Sequence, residues 1–146
     1  MNKCLNTGAQ KQNNGLLKIR MYKYYNPNPD GKMVGDCVIR AISKAINQDW
    51  EKTYVGVATQ GLMMHDMPSS NSVWGSFLRD RNFHKYVIPE SCPDCYTVSD
   101  FARDNPVGTY ILATGSHVVT TQDGNWYDAW DSASEIVTYF WTEERM

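Results

Sequence analysis

Residues 109–130, TYILATGSHVVTTQDGNWYDAW, decide how this chain is read. β-Branched and aromatic residues crowd two runs, and between them stands Asp123-Gly124, a pair whose residue types accept the positive φ angles of a two-residue hairpin turn. Strands are expected over 109–114, 116–122, 125–131 and 136–141. With a two-residue turn, His117 pairs with Trp130 and Val119 with Asp128. Side chains two apart on a strand share a face, so Asp128 lies diagonal to His117 on the same side of the sheet, and Asp131 points to the other side. A carboxylate there can orient the imidazole through its second nitrogen and stabilise the imidazolium, with Trp130 shielding the bond from water.

Upstream the apolar period changes. Ile39, Ile42, Ala45 and Ile46 recur at spacings of three and four, with Arg40, Ser43, Lys44 and Asn47 between them as the polar face. This is a helix opening at Cys37, with Asp36 at the N-cap position. A second helix opens at Asp49 and closes before Gly61, a third covers 71–81, and Thr97 with Asp100 forms a capping box for a short fourth over 98–103. Tyr22 to Tyr25 is a short strand followed by a loop of turn residues, Asn26-Pro-Asn-Pro-Asp-Gly-Lys. Helices first and an antiparallel sheet of about four strands afterwards give a single α+β domain over 21–146, preceded by a polar flexible leader over 1–20.

A cysteine in the first turn of a helix is a nucleophile in the making, because unpaired N–H groups and the positive end of the dipole favour a thiolate. An ordinary thiol is only a few per cent ionised near neutrality, with a reference pKa of about 8.5, so nucleophilic catalysis also needs an imidazole. Of His65, His84 and His117, only His117 has an acid partner legible from spacing. The candidate catalytic set is therefore Cys37 as nucleophile, His117 as acid and base, and Asp128 as the orienting carboxylate, with Asp131 the open alternative for the third place.

Gly35-Asp36-Cys37 at the start of an apolar helix, then Ser116-His117-Val-Val on a strand, then Tyr127-Asp128-Ala-Trp130, in the order Cys, His, acid, resembles the papain-like superfamily of cysteine peptidases. Within it the chain is most similar to small phage and prophage proteins of Gram-positive bacteria with a Gly-Asp-Cys-Val-Ile-Arg-Ala helix start. The resemblance implies a papain-like fold and cleavage of a peptide or isopeptide bond, or acyl transfer to an amine. A partner of host origin is also implied, and so is the alternative of a silent papain-like module that captures a host protein or small ligand. One departure stands out: the Gln that papain-like enzymes place about six residues before the cysteine is Gly31 here. The backbone N–H of Cys37 is then one oxyanion donor, with Asn28, or Asn26, the candidate for the other.

Composition bounds the rest. Fourteen Lys and Arg against 16 Asp and Glu give a net charge of −2 with no block of either sign, so neither a nucleic-acid nor a polybasic membrane partner is expected. No apolar run long enough for a membrane span or secretion signal occurs, which places the chain in the cytosol with free thiols. Cys92-Pro-Asp-Cys95 has the spacing of half a zinc site or a redox pair, but the further ligands and the βαβ setting are lacking, so no metal or cofactor is expected. Met63, Met64 and Met67 are expected in the core rather than at a ligand rim, and the aromatics of 126–141 on the buried face of the sheet.

Overall fold

The structure, a computed structural model, describes residues 20–89 and 96–146. The expected leader and the Cys92/Cys95 pair lie outside that range, apart from Arg20. In chain order the elements are β1 (Tyr22–Tyr24), α1 (Cys37–Ala45), α2 (Trp50–Met64), α3 (Asn71–Arg79), β2 (His84–Val87), α4 (Val98–Asp104), β3 (Thr109–Ala113), β4 (Val118–Gln122), β5 (Asn125–Asp128) and β6 (Tyr139–Thr142).

The hairpin forms in the expected register. Thr120 pairs with Tyr127 and Gln122 with Asn125, and Asp123 and Gly124 take φ of 50° and 80° at the turn, where Asp123 also closes a loop by accepting the Gly108 N–H at 3.1 Å. The sheet is larger than the expected four strands and is not wholly antiparallel. Among the described residues six strands run in the order β1-β5-β4-β3-β6-β2, with β1 parallel to β5 through Tyr24 and Asp128 and β2 on the far edge against β6. β1 is expected as a strand but not as a member of this sheet, and β2 is a four-residue edge strand between α3 and α4, where periodicity is a weak signal.

Alternation along β3 and β6 feeds two cores, one on each face of the sheet. Ile111, Ala113, Val118 and Trp141 meet the side chains of α1, α2 and α3. Tyr110, Leu112, Val119 and Phe140 meet α4 and Val137. α1 is bolted to the middle of the sheet by Thr120, whose hydroxyl donates to the Ala41 carbonyl at 2.6 Å.

Three expectations are corrected. α2 does not stop before Gly61 but runs on to Met64 and closes on His65 in the left-handed region, φ 53°. Gly61 is buried within the helix because a Cβ there would stand 2.7 Å from the Asp66 carbonyl oxygen, so it serves close approach of the chain rather than termination. Met63, Met64 and Met67 are exposed, not core; they follow the narrow buried strip of α2, which consists of Thr53, Val57 and Gly61. Arg40 and Ser43 are not on a solvent face: both are buried, Arg40 at 5 % exposure. The expected capping box is present, with Thr97 Oγ1 accepting from Asp100 N–H and Asp100 returning the bond to Thr97 N–H.

Candidate active site

The first residue of α1 and the residue ahead of β4 open onto one groove of about 540 Å³ between the α1–α3 layer and the sheet, lined by Cys37, Trp50, Tyr54, Trp74, His117 and Tyr139 among others. His117 is fixed by its backbone: its N–H donates to Thr114 Oγ1 at 3.1 Å, and its carbonyl accepts from Thr114 N–H at 2.9 Å. The β3–β4 turn therefore presents the ring at a set height above the floor.

His117 Nε2 meets Asp128 Oδ2 at 2.6 Å. With that nitrogen occupied, Nδ1 is the remaining ring nitrogen, and the Cys37 thiol lines the same groove, close enough that thiol and imidazole each shift the other's ionisation. The Trp130 ring lies over the imidazole, centroids 4.6 Å apart, although Trp130 itself is 41 % exposed and so forms the outer cover. Asp128 is completely buried. Its Oδ2 also accepts from Ser132 Oγ at 2.7 Å, while Oδ1 accepts from the Ala129 N–H at 2.8 Å and from Arg40 Nε at 3.1 Å. Asp131 is occupied elsewhere, accepting from Trp126 Nε1 at 2.9 Å.

The electrostatics follow from these contacts. Burial alone would lower the basicity of His117, but the Asp128 hydrogen bond, then the Cys37 thiol, outweigh it and push the imidazole up to about 9 from 6.5. Burial alone would raise the Cys37 thiol, yet the His117 ring, the Val118 N–H and the charge of Arg40 bring it below its usual value. Burial likewise opposes ionisation of Asp128, and hydrogen bonds from His117 and Ser132 hold its carboxyl below the ordinary range. Each shift favours the charged form of its group, so the pair is biased towards thiolate and imidazolium.

Asp36 occupies the N-cap position without capping, since its side chain accepts no bond from the first turn of α1. The carboxylate turns inward, ion-paired with Arg40 and accepting from Trp50 Nε1 at 2.8 Å. The first-turn N–H groups beside Cys37 are thus left without a side-chain acceptor at the edge of the groove. The oxyanion candidates go elsewhere. Asn28 Oδ1 accepts from the Asp30 and Lys32 N–H groups at 2.9 and 3.2 Å, Asn26 donates to the Lys32 carbonyl at 3.3 Å, and neither residue is among those lining the groove. The turn bonds take up Asn28 through its carbonyl oxygen and Asn26 through its amide nitrogen, which holds both side chains in the loop and off the groove.

Sequence reasoning missed Arg40, placed among the polar-face residues. The available signal was Asp36 four residues earlier on the same helix, a spacing at which the two side chains are neighbours.

Among the described residues no group of three or more His, Cys, Asp or Glu side chains is placed to hold a metal, and no helix is long and apolar enough to cross a membrane. Comparisons with known proteins find no matching family model, no matching curated protein and no matching solved structure.

Proposed function

We propose that the chain is a papain-like thiol hydrolase or acyl transferase acting through Cys37, His117 and Asp128. The observation that carries this reading is the buried His117–Asp128 bond of 2.6 Å on a ring that shares one groove with a thiol at a helix tip. The Cys37 thiolate attacks the carbonyl carbon of a peptide or isopeptide bond, forming a C–S bond. As the C–N bond breaks, the proton on His117 passes to the leaving amine. His117 then takes a proton from water, or from an acceptor amine, which attacks the thioester carbon and returns the sulfur to its anionic state. Asp128 holds the ring and its charge through both transfers, and the backbone N–H of Cys37 faces the developing oxyanion.

The groove favours a neutral, apolar acyl segment. Asp36 supplies its only carboxylate among the described lining residues, that charge is taken up by Arg40 and Trp50, and no Lys or Arg lines the walls. The phage-like helix start suggests that the substrate is a host protein. The test is alkylation of Cys37 by a neutral thiol reagent at neutral pH. Labelling faster in wild type than in His117→Ala is expected, and equal rates would overturn the reading.

A second reading, a silent papain-like module that captures a host protein or small ligand, is favoured by one observation: no residue of the 26–32 loop lines the groove, so the loop sends it no donor. A folded Cys37→Ala protein that retains full biological activity selects capture, and loss of activity selects the enzyme.

A further inference from the structure

We propose that Arg40 is a positioning residue for the Cys37–His117 pair, fixing the Asp128 carboxylate that holds the ring and supplying a buried positive charge that favours the Cys37 thiolate. The inference rests on the thiol reading above and adds to it a member outside the triad.

A guanidinium taken out of water costs several kcal/mol unless it is paired and hydrogen-bonded. The fold meets that cost with two carboxylates. Arg40 sits one helical turn beyond Asp36, is ion-paired with it, and donates through Nε to Asp128 Oδ1 at 3.1 Å, with a terminal guanidinium nitrogen in salt-bridge contact with the same oxygen at 3.0 Å. The guanidinium thus anchors Oδ1, and Oδ2 is left for His117 at 2.6 Å and Ser132 at 2.7 Å. The far end is secured as well, because Asp36 accepts from Trp50 Nε1 at 2.8 Å. A buried chain thus runs from α2 through Trp50, Asp36, Arg40 and Asp128 to the imidazole.

Charge gives the arrangement a sign. His117, ahead of β4, and Asp36, immediately before α1, share the groove with Cys37; Arg40, three residues along α1, and Asp128, at the end of β5, form the ion pair behind them, and Tyr22 of β1 donates to the Asp128 carbonyl. The nearest groove-lining side chains from α2, α3 and β6 are Trp50, Tyr54, Trp74 and Tyr139, with no further carboxylate or cation. Two carboxylates would repel a thiolate, and Arg40 lies between them. Removing Arg40 therefore disfavours the thiolate, whereas neutralising Asp36 favours it. A purely structural role predicts no such opposition.

The experiment is the rate of alkylation of Cys37 by iodoacetamide from about pH 5 to about pH 10 on the full chain, with the Cys37 peptide resolved by mass spectrometry so that Cys4, Cys92 and Cys95 do not contribute. In Arg40→Met the midpoint is expected to rise by about one pH unit, a roughly tenfold slower labelling at pH 6. Arg40→Lys, which keeps the charge but not the fork, should recover most of that shift, and Asp36→Asn should move the midpoint down. A wild-type midpoint at the ordinary thiol value of about 8.5 overturns the hydrolase reading and this inference with it. A depressed wild-type midpoint that Arg40→Met leaves unmoved, or that Arg40→Met and Asp36→Asn move in the same direction, overturns the inference alone. Should Arg40→Met fail to fold, the remaining pair decides: Asp36→Asn below wild type with Arg40→Lys near it supports the proposal, and any other order overturns it.

Discussion

Replacing Asp128 by Asn removes a charge without removing volume, and the structure sets the size of the effect. Every group around the two oxygens is a donor: His117 and Ser132 on Oδ2, the Ala129 N–H and Arg40 on Oδ1. An amide offers one acceptor and one donor, so in either orientation an N–H is forced against another donor in a fully buried site. Arg40 meanwhile keeps only Asp36 as an anionic partner. Breaking a buried pair costs about 3–5 kcal/mol, which for a domain of this size lowers Tm by roughly 10 °C. With the amide nitrogen on the His117 side, Nε2 must accept, the proton moves to the nitrogen facing the thiol, and Cys37 loses its base. Circular dichroism melts and iodoacetamide labelling of the same Asp128→Asn protein read the two consequences. A melt about 10 °C lower together with a Cys37 midpoint near 8.5 is expected; an unchanged melt with an unchanged midpoint refutes the assignment of Asp128.

Stability should depend on pH in a way that exposes the coupling. The raised imidazole contributes stability that is full below about 6.5 and lost as pH climbs through about 9, whereas the depressed thiol contributes stability that is lost as pH falls through its folded value and full above about 8.5. Where the two ranges overlap below about 8.5 they oppose each other, so urea midpoints of wild type are expected to vary less with pH there than those of Cys37→Ala, which should lose stability as pH rises from about 6.5 towards about 9. Gly61→Ala places a Cβ 2.7 Å from the Asp66 carbonyl and 3.3 Å from Pro68 N; both are backbone atoms, so a loss of about 2 kcal/mol is expected by denaturant titration. Thr97→Ala removes one half of the capping box on the far side of the sheet and should cost about 1 kcal/mol while leaving Cys37 labelling unaltered.

Much of the sheet and the site was legible because the signals were local. Asp123-Gly124 fixed the turn, the turn fixed the register, and the register brought His117 to Asp128. The helix that carries Cys37 followed from its apolar period, and the α4 cap from Thr97 and Asp100. What was not legible depends on tertiary context. β1 joins β5 in parallel across a hundred residues, a pairing that three residues of aromatic sequence cannot announce. Gly61 has the same letter whether it ends a helix or lets the chain pass close by. Arg40 reads as solvent-facing until the carboxylate of β5 is known to lie beside it. The 26–32 loop reads as a turn from its prolines and glycine, but its asparagines are expected at the oxyanion; their bonds within the turn hold them off the groove.

The protonation of His117 tests the central claim most directly. Long-range nitrogen–proton NMR of the imidazole across a pH titration reports each ring nitrogen separately. Both nitrogens protonated at pH 7, with loss of the proton only near about 9, is the predicted outcome. A ring that titrates near 6.5 as an ordinary, isolated histidine would contradict it.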